Sequence, residues 1–153
     1  MTETDRDADG PGFQPVFENR VRFAETDQQG IVFYGEYFTF QDETVSEFFR
    51  EIGYTFQDMV DRGWQTHVAN TELNYYEAAE FGDVVVNEMR VVEFGTASFT
   101  SEYRARRRDD GQLLADGTVT HVAVDLETEE TTRVPDAFRD AVAEFQGGLE
   151  TIE

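Results

Sequence analysis

The chain has 153 residues and a formal net charge of −21, from 12 basic and 33 acidic side chains, and every basic residue is Arg. That length fits one ordinary domain, and the absence of Cys excludes disulfides, thiolate metal sites and Cys nucleophiles. The charge argues against nucleic acid or an anionic membrane as partner. No apolar run nears the roughly 18 residues of a membrane span, no signal-peptide pattern opens the chain, and a cytoplasmic location is expected.

Residues 1–14 are mostly polar, carry Gly and Pro and lack apolar periodicity, so a flexible tail is expected there. A single domain over 15–147 and a C-terminal tail at 148–153 complete the expected organisation. The run 16–24 alternates and reads as a strand. A long helix follows, because Tyr37, Phe40, Thr44, Val45, Phe48, Phe49 and Ile52 recur three and four apart, and Gly53 closes it. Thr55 and Asp58 form the pattern of a reciprocal cap for a short helix near 56–62. Strands are predicted at 66–78, 83–94, 97–108 and 112–126, with Asp110-Gly111 a strong hairpin signal between the last two. A last helix is predicted near 136–145, behind Pro135. One long helix with four long antiparallel strands after it gives the α+β class, with the apolar helix face laid on a curved sheet.

The segment richest in chemistry is 22–38, RFAETDQQGIVFYGEYF. It sets the carboxylate of Asp27 just after a strand, with an apolar turn leading into the N-terminus of the aromatic-faced helix. The first N–H groups of a helix have no partners within it, and the dipole favours negative charge there. A carbonyl oxygen held against such groups is polarised as in an oxyanion hole, and a nearby carboxylate can attack the carbonyl carbon or activate water. Spacing alone leaves Asp27 open between this role and that of a turn or cap residue.

Asp27, Gly30, Ile31, Val32, Phe33, Tyr34 and Tyr37 resemble the signature of hotdog-fold acyl-CoA thioesterases of the 4-hydroxybenzoyl-CoA thioesterase type. The resemblance extends through Arg90-Val91-Val92, Thr96-Ala97-Ser98-Phe99, the run 117–125 and Arg133-Val134-Pro135, covering about 16–145. It implies a hotdog fold, a long central helix wrapped by a five- to six-stranded antiparallel sheet. The implied activity is hydrolysis of an acyl-CoA, with an aromatic acyl group among the options, without metal or bound cofactor. A homodimer or homotetramer is implied, with sites at the interface. Asp27 would be the catalytic carboxylate, Tyr34 would give the backbone N–H that polarises the carbonyl, Gly30 would keep the backbone open for the thioester, and Tyr37 would pack at the helix start. Many relatives carry His where this chain has Tyr34. Phe94-Gly95-Thr96-Ala97 replaces a basic cluster, so Arg106 and Arg107, within the group Arg104 to Arg108, become the candidate clamp for the CoA phosphates. Their alternative is a strand-end charge network.

Asp42 and Glu43 are candidates for an auxiliary base or for solvated positions on the helix. His67 and His121 are expected as packed, hydrogen-bonded strand residues, and Trp64, Tyr75 and Tyr76 as core aromatics or pocket lining. Two rival functions remain: an acyl-thioester-binding protein without turnover, and a hydratase or dehydratase that would need a His paired with a carboxylate. Acids spread along the whole chain, with Lys absent, point to a salt-loaded cell, where a Debye length of about 3 Å at molar salt screens self-repulsion.

Overall fold

Alternation of apolar and polar residues builds the sheet, and the three-four spacing of aromatics builds the helix that lies on it. The structure is a computed structural model describing residues 13–147; the expected tails at 1–12 and 148–153 lie outside the described residues. In chain order the elements are β1 (Gln14–Arg20), α1 (Glu36–Glu51), α2 (Phe56–Asp61), β2 (Trp64–Tyr75), β3 (Val84–Phe94), β4 (Ser98–Arg107), β5 (Leu113–Asp125) and α3 (Asp136–Gln146). The strands form one antiparallel sheet in the order β1-β3-β4-β5-β2, leaving β1 and β2 as its edges. This is the hotdog arrangement, with five strands.

β2 runs Trp64–Tyr75 rather than 66–78, and both ends of β1 differ from expectation. β1 opens at Gln14, paired with Met89, inside the segment expected as tail, and Phe13 lies against the Arg104 guanidinium at 3.8 Å. The first strand also stops at Arg20 rather than running to residue 24, because Phe23–Glu25 forms a 3-10 turn. There the buried Glu25 carboxylate accepts the Arg22 N–H at 2.8 Å, and its own N–H returns to the Arg22 carbonyl at 2.9 Å. A local side-chain acceptor thus outcompetes the sheet ladder.

The inner face of α1 buries Tyr37, Phe40, Val45, Phe48 and Phe49 against Val85, Met89 and Val91 of β3 and Phe99 and Tyr103 of β4. α3 closes one end. Phe138 packs edge-on to Phe49, Tyr54 and Trp64, and the Gln146 amide receives the Val91 N–H at 2.6 Å beside the bulge in β3. Trp64 therefore belongs to the core, its Nε1–H donating to the Tyr54 hydroxyl at 3.1 Å.

Leu73 of β2 faces Gly117 of β5, and a Cβ on Gly117 would collide with the Glu72 carbonyl. Gly117→Ala is expected to destabilise the fold by about 2 kcal/mol, the scale of overpacking, lowering Tm by roughly 4–8 °C. Thermal unfolding followed by circular dichroism checks this; an unchanged Tm would show that the two strands have room to part here.

Candidate active site

The site begins where the chain leaves the sheet edge. Thr26 bridges to Val32, the Asp27 N–H donates to the Ile31 carbonyl at 2.9 Å, and the Gly30 N–H returns to the Asp27 carbonyl at 3.0 Å. This tight turn needs a left-handed residue, which Gly30 supplies at φ +79°. The turn is tied to the segment after β2, with the Val32 N–H on the Ala79 carbonyl at 2.9 Å. Asp27 is half-buried; its Oδ1 accepts the Gln29 N–H at 2.8 Å, while Oδ2 has no partner among the described residues. The carboxylate is thus oriented through one oxygen and available through the other.

Next in the chain is the start of α1. Phe33 N–H is taken by the Glu25 carbonyl and Glu36 N–H by the Phe33 carbonyl, each at 2.9 Å. Between them, the N–H groups of Tyr34 and Gly35 have no acceptor among the described residues, and no side chain caps the helix. The Tyr34 carbonyl accepts the Tyr37 N–H at 3.2 Å and the Tyr75 hydroxyl at 3.1 Å. Around this corner lies a cavity of about 320 Å³ walled by Tyr34, Tyr37, Tyr75, Tyr76, Ile31 and Val32 and bounded by Glu77 and Ala78. Tyr34 is 63 % exposed, with its ring edge-on to Tyr75. Tyr37 is buried, and burial pushes its phenol up to about 12, so it stays protonated at neutral pH.

The structure thus brings Asp27, Gly30, Tyr34 and Tyr37 into one continuous segment, and it separates the two arginines. Strand alternation places Arg106 on the sheet face opposite Tyr103 and Ala105, beside Arg104 and Glu88, where it is 8 % exposed, with its Nε 3.3 Å from Glu88 and its Nη1 donating to the Gly111 carbonyl at 3.0 Å. Arg104 meets the same Glu88 oxygen at 2.9 Å. A guanidinium buried this way is held by internal acceptors and is not presented to a phosphate, so the clamp assigned to Arg106 does not fit its position. Arg107 alone reaches the cavity's boundary, donating to the Ala78 carbonyl at 3.1 Å while pairing with Asp110 and lying 3.6 Å from Asp83. Tyr75 and Tyr76 line the cavity, as one of their two expected readings had it. The contact from Tyr75 to Tyr34 was missed, since it joins residues 41 apart and no local pattern signals it.

Asp42 and Glu43 are exposed on α1. Asp42 shares a second cavity, of about 120 Å³, with Phe38, Gln41, Val68, Thr71 and His121. His121 is 3 % exposed, stacked on Phe99 with ring centroids 5.1 Å apart, and its Nδ1 is buried without a hydrogen-bond partner. It is packed as expected, but against expectation its Nδ1 makes no hydrogen bond among the described residues, to Asp42 or to any other group. His67 departs from expectation: β2 is an edge strand, so its ring is exposed and lies 3.1 Å from the Gln65 amide.

The chain matches the family model described as the thioesterase-like superfamily over residues 21–142. Among curated proteins it is 29 % identical to the acyl-CoA thioesterase YbgC of Haemophilus influenzae over 111 residues, 72 % of this chain and 80 % of that protein. Among solved structures it is similar to a hypothetical protein of Thermus thermophilus, with TM-score 0.78, 28 % identity and coverage of 87 % of this chain and all of that one. It is also similar to a gentisyl-coenzyme A thioesterase, with TM-score 0.74, 26 % identity and coverage of 84 % and 99 %.

Burial pushes His121 down to about 4 from its ordinary 6.5. The unfolded chain therefore binds the proton first on acidification. The stabilisation from keeping this ring neutral is complete above pH 6.5 and is lost as pH falls to about 4, a change on the order of 3 kcal/mol. Denaturant unfolding at stepped pH is expected to show this loss in the wild type and not in His121→Phe; equal slopes in the two would refute it. With the turn of Asp27 followed in the chain by an uncapped helix start, on a five-stranded hotdog scaffold matched from residue 21 to 142, this chain belongs to the thioesterase-like superfamily.

Proposed function

We propose that the chain hydrolyses an acyl-CoA thioester to a free acid and CoA. The observation that carries this is the pairing of an oriented carboxylate with two partnerless N–H groups at the head of α1, beside a cavity walled by tyrosines. Membership of the superfamily and relatives named for acyl-CoA hydrolysis support it. The thioester oxygen rests against the Tyr34 N–H, where charge develops as the carbonyl carbon becomes tetrahedral. Through Oδ2, Asp27 takes a proton from water as the hydroxide attacks, or attacks directly to give an acyl anhydride that water then opens. Either way the C–S bond breaks, the thiolate leaves and takes up a proton, and Asp27 is regenerated. The chemistry calls on no metal or bound cofactor.

The same reading includes a cytoplasmic homodimer or homotetramer. The outer edge of β2 is twelve residues long and exposed from His67 to Glu72, and such an edge invites pairing with a second copy about a two-fold axis. Among the described residues no helix is long and apolar enough to cross a membrane.

Free-thiol release from acyl-CoAs with short, long and aromatic acyl groups tests the activity. Asp27→Asn is expected to lower kcat by about 10²–10⁴-fold on every substrate turned over, the range of a positioned acid–base group, while acyl-CoA binding is kept. Binding without release by the wild type would favour a ligand-binding protein. The assay belongs in molar salt: with a net charge of −21, Tm is expected to fall on transfer to dilute buffer, and a Tm indifferent to salt would refute the halophilic reading.

A further inference from the structure

We infer that Tyr75 is a positioning residue for thioester hydrolysis, its hydroxyl holding the Tyr34–Gly35 peptide so that the Gly35 N–H is presented beside the polarising Tyr34 N–H. The inference rests on the activity proposed above. Tyr75 ends β2, and its hydroxyl donates to the Tyr34 carbonyl at 3.1 Å. That carbonyl belongs to the same peptide plane as the Gly35 N–H, and in a trans peptide the two point in opposite directions. Fixing the oxygen therefore fixes the hydrogen. Among the described residues the only backbone donor to this oxygen is the Tyr37 N–H, at a long 3.2 Å, so the helix alone holds the plane weakly. Gly35 has no side chain to cap the helix or lock its own torsion angles, which leaves the corner dependent on a donor from elsewhere.

A second effect follows from polarisation. A peptide that accepts a hydrogen bond at its oxygen becomes a better donor at its nitrogen. The Tyr75 O–H thus strengthens the Gly35 N–H as a second donor to the developing oxyanion, beside that of Tyr34. The phenol is able to sustain this role: burial, with the neighbouring Tyr34 phenol adding to it, raises it above its ordinary value, so it remains a donor through the range of an assay. The ring is held independently of the hydroxyl, edge-on to Tyr34 at 6.2 Å and to Tyr37 at 5.7 Å. Tyr75→Phe therefore removes the donor and leaves the packing in place.

The test compares wild type and Tyr75→Phe by thiol release on the acyl-CoA that the wild type hydrolyses best. A roughly three- to tenfold fall in kcat is expected, the effect of one lost hydrogen bond, with KM changed by less than about twofold and Tm unchanged. The carbonyl stretch of the same acyl-CoA, ¹³C-labelled at its thioester carbonyl and bound to Asp27→Asn, is expected to lie closer to its solution frequency once Tyr75→Phe is added. A rise in KM at constant kcat would make Tyr75 a wall of the cavity only and overturn the inference, as would an unaffected kcat or a kcat loss without the spectral change. If the wild type hydrolyses no acyl-CoA, the activity itself fails and the inference falls with it; turnover with an indifferent Tyr75→Phe enzyme overturns the inference alone.

Discussion

A helix must leave its first N–H groups without partners inside itself, and this chain treats its two short-loop helix starts in opposite ways. α2 is closed by Thr55 and Asp58, the hydroxyl accepting the Asp58 N–H at 3.2 Å while the carboxylate takes the Thr55 N–H at 2.8 Å. α1 is more than twice as long and has no side-chain cap; Gly35 stands at the capping position. Filling such a position with Ser, Thr, Asp or Asn typically stabilises a helix by about 1 kcal/mol. An open head on the longest helix is a local rule left unmet, which is where functional sites are expected. The positive end of the helix dipole is thereby left without a side-chain partner.

Everything around that opening serves to hold it in place without closing it. The Gly30 turn folds the chain back on itself, and the Val32–Ala79 bond ties it to the segment that follows β2. Tyr75 then reaches from the last residue of β2 to the corner of α1. Because β2 is hydrogen-bonded to β5, itself paired with β4, the site is referenced to the sheet rather than to a loop. The aromatic face of α1 sets the other coordinate: Phe40, Phe48 and Phe49 are all but fully buried, so the helix axis cannot shift without opening the core.

Local grammar explains what could be read beforehand. The aromatics of α1, the Thr55–Asp58 box and the Asp110-Gly111 turn each act within four residues, so their physics is contained in a short window of sequence. The 3-10 turn at Phe23–Glu25 is also local but was read as strand, because Val-Arg-Phe-Ala alternates and the competing acceptor is the side chain of Glu25. The arginines follow the charge-network alternative rather than the clamp. Arg104 and Arg106 share Glu88, 16 and 18 residues away on the neighbouring strand, and only the register of β3 with β4 brings them together. The motif of 27–37 lies within a single turn and helix start, so it was visible, whereas the residue that braces it lies 41 positions on.

The charge balance then bears on how an anionic substrate meets this surface. Each described arginine already has an internal contact: Arg22, Arg90, Arg107, Arg108 and Arg133 with acids, Arg20 and Arg139 with backbone carbonyls, Arg62 over the Tyr54 ring. With 33 acids in the chain, the field around the molecule is negative and repels the phosphates of a CoA ester. Screening at molar salt reduces the reach of that field to about 3 Å, less than the width of the cavity mouth's own side chains. On the proposed activity, recognition would then pass from long-range attraction to contact with the tyrosine walls, the N–H groups at the head of α1, and Arg107 at the Ala78 carbonyl. On the proposed activity, salt would act twice on this chain, once by letting a highly charged domain stay compact and once by letting an anionic substrate approach a site read through short-range contacts.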